Sequence, residues 1–394
     1  MDLLKSTNSE KSHQFGLLYV INFIISFHLF FIVYFNSSHL KEIGFSEESL
    51  SGIYILGSAV GILGMLTFAR VLRRVGCYRA ALVLLSLEMF ALGTLAFTQD
   101  LLISLIAFVG YLLIFPLILL SLDVFLESMT KQEGSTGSIR GIFLTVTNAA
   151  LIISPLAAGF LLNGDGFSKM YLVSASFLLP VIIIVGWYFK GFSDPVYEPL
   201  RLKDVLHDFS QDRNLRNIFL AHLVLRIFYV FMVIYTPLYL HNTIGFSLST
   251  IGIMFAIMLL PFVLFEIPLG KIADRLLGEK EIMIVGFLIA GATTLLMSLI
   301  SIPAFALWTA VLFATRTGAS AIEITTESYF FKHVGGKDAD TISLFRTLRP
   351  LSYIIGATLG GVALLFTTIH YLFIIPAVFL FLGIIPASRI RDTK

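Results

Sequence analysis

The chain has 394 residues, 57% of them hydrophobic and only 13% charged, with a mean hydropathy of +0.91. A water-soluble domain carries about 25% charged residues, so most of this chain is solvated by lipid, and a soluble enzyme or a nucleic-acid-binding protein is excluded. The net charge of +2 points to no partner, and the single Cys77 excludes an internal disulfide.

The first apolar stretch, from Phe15, is too long for a signal-peptide core and has no A-x-A-like cleavage site after it. It reads as a retained first span. Twelve spans of about 20–28 residues are predicted in all: 15–38, 49–70, 79–98, 101–127, 138–162, 169–190, 214–241, 248–272, 281–300, 304–330, 340–366 and 369–388. The segment 191–213, GFSDPVYEPLRLKDVLHDFSQDR, is the one long polar stretch. Its prolines and charges make it a linker with a short amphipathic helix on the membrane surface. The expected organisation is an N-terminal six-helix bundle over 1–190, a cytoplasmic linker over 191–213 and a C-terminal six-helix bundle over 214–394.

Lys and Arg placement sets the orientation. With the N-terminus inside, Lys41 and Lys169 fall in outer loops and Arg226, Arg316, Arg346 and Arg349 fall within spans, which leaves 21 of the 27 on the cytoplasmic side. That bias predicts N-in, C-in topology, and the even span count agrees with it.

The chain also repeats itself. Gly44-Phe45-Ser46 with Gly52-Ile53 returns as Gly245-Phe246-Ser247 with Gly252-Ile253. Asp123, Glu127 and Ser128 return about 200 residues later as Glu323, Glu327 and Ser328. Tandem halves of about six apolar helices are the mark of a secondary transporter built from parallel repeats. Small residues pattern several spans: Gly57, Gly61 and Gly64, then Ser154, Ala158 and Gly159, then Gly356, Gly360 and Gly361. They let helices approach closely, either as plain packing or as faces on which the halves slide.

The loop Gly270-Lys271-Ile272-Ala273-Asp274-Arg275-Leu276-Leu277-Gly278-Glu279-Lys280 resembles the G-x-x-x-D-R-x-G-x-K signature of the major facilitator superfamily, with one extra residue before Gly278. The first-half counterpart, Ala69 to Arg79, has Ala69 in place of Gly and Arg73 in place of Asp. Ser154-Pro155-Leu156-Ala157-Ala158-Gly159 resembles the G-P-x-x-G-G motif of antiporters in that superfamily. The resemblance implies an all-α membrane protein with twelve transmembrane helices in two pseudo-symmetric bundles. It also implies a cavity lined by spans one, four, seven and ten, and a cytoplasmic gate where spans four and five meet ten and eleven.

Charges in hydrocarbon cost about 2.5–3.5 kcal/mol each on insertion scales, so those within spans face partners, water or solute. Asp123 with Glu127, and Glu323 with Glu327, are each four apart and share a helix face. Arg346 and Arg349 are three apart on another, and Arg140 begins the fifth span. These form either an interdomain latch or a static pairing of Glu323 or Glu327 with Arg346 or Arg349. Asp274, beside Arg275, is expected to dock at the helix start near Arg140. Arg226 and Arg316 lie near mid-membrane, and Asn22, His28, Tyr34, Tyr229 and Tyr235 are candidates to share the cavity lining. The two arginines either bind an anionic solute or are neutralised by carboxylates such as Glu266 or Glu323. Glu88 and Glu266 are single membrane carboxylates and candidates, with the paired acids, to carry a proton.

No spacing of His, Cys or acids suggests a metal, and no cofactor motif is present. The sequence therefore reads as a monomeric secondary transporter of a small organic solute in the cell's inner membrane. Proton-coupled antiport is the first expectation. Uptake or exchange of an organic or lipid-like anion is the alternative within transport, and a sensor or enzyme on a transporter scaffold is the alternative outside it.

Overall fold

In hydrocarbon every backbone N–H and C=O must find a partner within its own segment, so long apolar runs fold as helices. The computed structural model describes the backbone of residues 2–130, 136–162, 166–197, 211–273, 278–333 and 339–391. Among these, the side chains of 2–14, 127, 129, 130, 136–141, 144, 266, 267, 271 and 339–343 are not described. Twelve long helices cover the described residues. They are α1 (Asp2–Val33), α2 (Glu47–Val75), α3 (Cys77–Phe97), α4 (Leu101–Thr130), α5 (Thr136–Leu161), α6 (Phe167–Tyr188), α7 (Arg213–Ile234), α8 (Leu248–Ile272), α9 (Glu279–Met297), α10 (Phe305–His333), α11 (Ala339–Leu364) and α12 (Ile374–Arg389).

Each expected span has its helix. Among the described residues nine are long and apolar enough to cross a membrane: α1 from Phe15, α2, α3, α4, and α6 to α10. The apolar stretches of α5 (Thr145–Leu161) and α12 are shorter. Arg346, Arg349 and Pro350 interrupt the apolar run of α11.

The repeat seen in the sequence is a repeat of backbone. The first and seventh spans are not single helices. α1 stops at Val33 and a short helix, Asn36–Ile43, follows. α7 stops at Ile234, and a short turn, Thr236–Leu238, runs into a π-helical turn, Tyr239–Thr243. Each short piece ends at a glycine with positive φ: Gly44 at 122° and Gly245 at 92°. The next pair, Gly76 at 78° and Gly278 at 81°, immediately precedes α3 and α9. An L residue pays a steric penalty at such angles and glycine does not, which explains why these positions recur in both halves. Packing repeats as well. α1 lies on α5 and α6, and α3 on α4 and α6; α7 lies on α11 and α12, and α9 on α10 and α12.

By their packing the residues fall into two units. One comprises Met1–Val33 and Val60–Pro199, the other Tyr34–Ala59 and Leu200–Lys394. In the first unit, Gly61 brings α2 against α4, where a Cβ would stand 3.3 Å from the Leu112 carbonyl. The segment following α6 is fastened to α3. Asp194 Oδ1 accepts the Cys77 N–H at 2.7 Å, capping that helix, and the Tyr197 hydroxyl donates to the same oxygen at 2.5 Å. In the second unit, Gly318 and Gly286 put α9 and α10 in backbone contact. A Cβ on Gly318 would lie 2.5 Å from the Ala290 nitrogen and 2.6 Å from the Gly286 oxygen. Tyr34–Ala59 contributes to this unit through Tyr34 against Phe255 at 5.0 Å, Tyr54 stacked on Tyr353 at 5.9 Å and Ser51 hydrogen-bonded to Tyr235 at 2.8 Å.

Candidate functional site

On α7, His222, Arg226 and Tyr229 follow at spacings of four and three, so one face presents all three side chains. On α10, Glu323, Thr326 and Glu327 do the same. The two faces meet. Arg226 Nη2 lies 3.3 Å from Glu323 Oε1 and 3.8 Å from Glu327 Oε1. The Tyr229 hydroxyl donates to the other Glu323 oxygen, Oε2, at 2.7 Å. Arg226 Nε donates to His222 Nε2 at 2.9 Å.

This network fixes the state of His222. A guanidinium N–H can only donate, so Nε2 must carry a free lone pair. His222 Nδ1, 3.0 Å from Thr326 Oγ1, then holds the ring proton and donates it. The Thr326 hydroxyl passes its own proton to the Glu323 carbonyl at 3.0 Å. His222 is thus a neutral support that aims Arg226 at the acids.

Arg226 faces both carboxylates, and the charge of Arg346 also acts on Glu327. Arg226 and Glu323 are 23% and 20% exposed, whereas Glu327 is 43% exposed and is the member with most access to water.

Arg316, about two turns before Glu323, behaves differently. It is 2% exposed, and its Nε has no hydrogen-bond partner among the described residues. Its guanidinium carbon lies 5.2 Å from the Tyr229 ring and 5.4 Å from the Phe228 ring, a cation–π arrangement. Tyr229 therefore joins the two arginines, with Arg226 also 5.7 Å from its ring. Of the two expectations for these arginines, Arg226 has the carboxylate partners, and Arg316 has aromatic ones among the described residues.

The first unit holds a second polar cluster. His28 on α1 is 1% exposed and Glu88 on α3 fully buried, with His28 Nε2 3.5 Å from Glu88 Oε1. Ser174 on α6 lies 2.7 Å from His28 Nδ1 and donates to the His28 carbonyl at 3.3 Å. Asn22 serves α5, donating to the Phe143 carbonyl at 2.8 Å and Thr147 Oγ1 at 2.9 Å. These two candidate cavity residues are thus engaged by the helices of their own unit.

Arg346 and Arg349 are exposed on α11, where the charge of Arg346 reaches Glu327 and that of Arg349 reaches Tyr34 and Tyr353, and Asp123 is partly buried on α4. The side chains of Glu127, Arg140 and Glu266 are outside the described residues, as are Asp274 and Arg275 entirely. Three partners escaped the sequence reading. His222 and Thr326 carry no charge signal, though the four-residue spacing of His222 and Arg226 was there to read. Glu279, fully buried at the start of α9, pairs with Lys332 and accepts from Ser328 Oγ at 3.1 Å.

A sequence profile described as Major Facilitator Superfamily matches residues 218–393, the stretch that holds Arg226, Arg316, Glu323 and Glu327. The crystal structure of the nucleoside transporter NupG superposes with a TM-score of 0.76 over 96% of this chain and 99% of that one, at 12% identity. The second half of the chain is thus similar to the Major Facilitator Superfamily in sequence, and the whole chain shares the fold of a solved transporter. A second solved member of similar fold is a bacterial homologue of the human lysosomal transporter Spinster, in an inward-facing, unoccupied conformation. Its TM-score is 0.72 at 14% identity, over 96% of this chain and 97% of that one. No curated protein sequence matches the chain. The shared fold and the nine helices long and apolar enough to cross a membrane among the described residues are those of a multi-pass membrane protein.

Proposed function

We propose that this protein is a proton-coupled secondary transporter that exports a small organic solute by alternating access, acting as a monomer in the cell's inner membrane. The observation that carries the reading is the pair Glu323 and Glu327, both facing Arg226. Glu323 has Arg226 at 3.3 Å and the Tyr229 hydroxyl, whereas Glu327 is held at longer range, by Arg226 at 3.8 Å and by the field of Arg346. The second acid gains most from a proton or from a solute that brings positive charge or hydrogen-bond donors. Proton and solute then compete for one site, which is the requirement for antiport. The exposure of Glu327 gives it the contact with water that loading a proton needs, and Glu323 is held in place by Tyr229 and Arg226.

The test is reconstitution in liposomes with an internal pH dye. Candidate solutes should release protons into or out of the vesicle against an imposed gradient. Glu327→Gln should keep solute exchange and lose solute-driven proton movement. Gradient-independent transport by the native chain overturns the coupling.

A second reading has support from Arg316. A buried guanidinium set against two aromatic rings, its Nε without a hydrogen-bond partner among the described residues, suits an organic anion, ring-bearing ones above all. Loss of solute binding in Arg316→Gln, with binding kept in Glu327→Gln, favours this reading over cation or neutral-solute export.

A further inference from the structure

We propose that a cavity at the head of α7 binds the phosphate group of an anionic ligand, and that its place in the fold suits a phospholipid headgroup. The cavity has a volume of about 630 Å³ and is lined by Gln211, Asp212, Arg213, Asn214, Arg389 and Arg391. That size lies within the range of small-ligand sites, about 300–1,000 Å³. All of its lining residues belong to the second unit, and it stands apart from the Arg226 cluster.

Three arginines line this one space. None of them makes an ion pair among the described residues, and all three residues are exposed. The acid that lines the cavity is committed elsewhere: Asp212 Oδ1 caps α7 by accepting the Asn214 N–H at 2.7 Å and the Leu215 N–H at 3.1 Å. Its charge is turned toward the helix N-terminus, leaving the arginines a surplus of positive charge.

The rim is also held in place. Beyond the end of α12, the Arg391 N–H donates to Asn214 Oδ1 at 3.0 Å, and its carbonyl accepts from the Tyr329 hydroxyl at 3.0 Å. The chain after α12 is therefore tied to both α7 and α10, which holds the Arg391 backbone at the cavity. Arginine forks recognise phosphate oxygens in pairs. Arg213 is the first residue of a helix long and apolar enough to cross a membrane, and Arg389 is the last residue of a shorter apolar helix. The cavity thus lies where the hydrocarbon ends and headgroup phosphates begin, and juxtamembrane basic groups there attract anionic lipid.

The experiment uses the full-length protein, stripped of lipid in detergent. Binding of phosphatidylglycerol is measured by native mass spectrometry, with phosphatidylcholine as control and inorganic pyrophosphate as the soluble probe. Phosphatidylglycerol should be retained by the native chain. Retention should fall by on the order of tenfold or more in Arg213→Gln/Arg389→Gln/Arg391→Gln. The matching triple lysine variant should bind more tightly than the glutamine one, which separates loss of charge from loss of fold. Binding of pyrophosphate in place of the lipid, lost in the same variant, supports the phosphate site and assigns it to a soluble ligand. Equal retention by native and glutamine proteins, or no binding of either probe by the native chain, overturns it.

Discussion

His28 Nε2 and Glu88 Oε1 face each other at 3.5 Å, both buried and neither with another hydrogen-bond partner among the described residues. Ser174 gives its hydroxyl proton to the His28 carbonyl, so His28 Nδ1 must donate to Ser174 Oγ, and the ring's other nitrogen faces Glu88 Oε1 at 3.5 Å. Either the carboxyl is protonated toward Nε2, or the imidazole is protonated toward the carboxylate. With both groups buried, the pair needs a donor on one side and an acceptor on the other. Glu88→Gln supplies a permanent donor and should leave the melting temperature near that of the native chain. Glu88→Leu or His28→Leu strands the remaining partner and should cost about 1–3 kcal/mol. Thermal unfolding in detergent measures this, and equal loss in the glutamine and leucine variants at position 88 refutes a proton held between the two.

Removing Arg226 should hurt more than removing it together with an acid. Arg226→Gln leaves Glu323 and Glu327 facing each other without their cation. The expected loss is about 2 kcal/mol, below that of a fully buried pair because these side chains are 20–43% exposed. Arg226→Gln/Glu323→Gln should recover most of it. A double variant as unstable as the sum of its single changes argues against direct coupling.

Two glycines should respond in opposite ways to alanine. Gly318 has the Ala290 backbone nitrogen 2.5 Å from where its Cβ would be, so α9 and α10 must part to admit it. Gly318→Ala should cost about 1–3 kcal/mol. Gly93 on α3 has nothing within 4 Å of that point, and Gly93→Ala should be neutral or stabilising by up to about 1 kcal/mol. Melting temperatures of the two variants decide the matter.

The clasp of the post-α6 segment on α3 should be sensitive to alkali. Burial, then the hydrogen bond to Asp194, pushes the Tyr197 phenol above its ordinary value. A raised phenol stabilises the fold fully below its ordinary range near pH 10 and loses that contribution as the pH climbs past it. Protease cleavage after 188–197 should therefore accelerate above about pH 10 in the native chain, and Tyr197→Phe should flatten that dependence. Asp194→Ala, which also removes the cap on the Cys77 N–H, should show faster cleavage at every pH.

Much of the fold was legible because lipid imposes long apolar runs and parallel repeats copy short motifs. Gly44-Phe45-Ser46 and Gly245-Phe246-Ser247 mark the repeat in the sequence, and in the structure both glycines have positive φ. What stayed hidden was the break in the first and seventh spans: Tyr34-Phe35 and Tyr235-Thr236 are as apolar as their neighbours, and hydropathy does not register a change of helix direction. The site was half legible. Charges within spans drew attention to Arg226, Glu323 and Arg316, yet spacing along a helix does not say which helix a face meets. Glu323 and Glu327 were therefore set against Arg346 and Arg349 on α11 in one expectation; the charge of Arg346 does reach Glu327, and Arg226 on α7 adds ion pairs to both acids. Neutral members such as His222 and Thr326 are recognised only once hydrogen-bond directions can be followed.

The left-handed glycines carry a consequence for tracing descent. Between the halves, Cys77 stands where the other has Glu279, and Arg73 where it has Asp274, so side-chain chemistry has drifted far at these loops. The sign of φ has not drifted: Gly44 matches Gly245, and Gly76 matches Gly278. Handedness of the main chain at four bends is thus a more durable record of the ancestral duplication than the residues around it, since an alanine there is penalised in either copy.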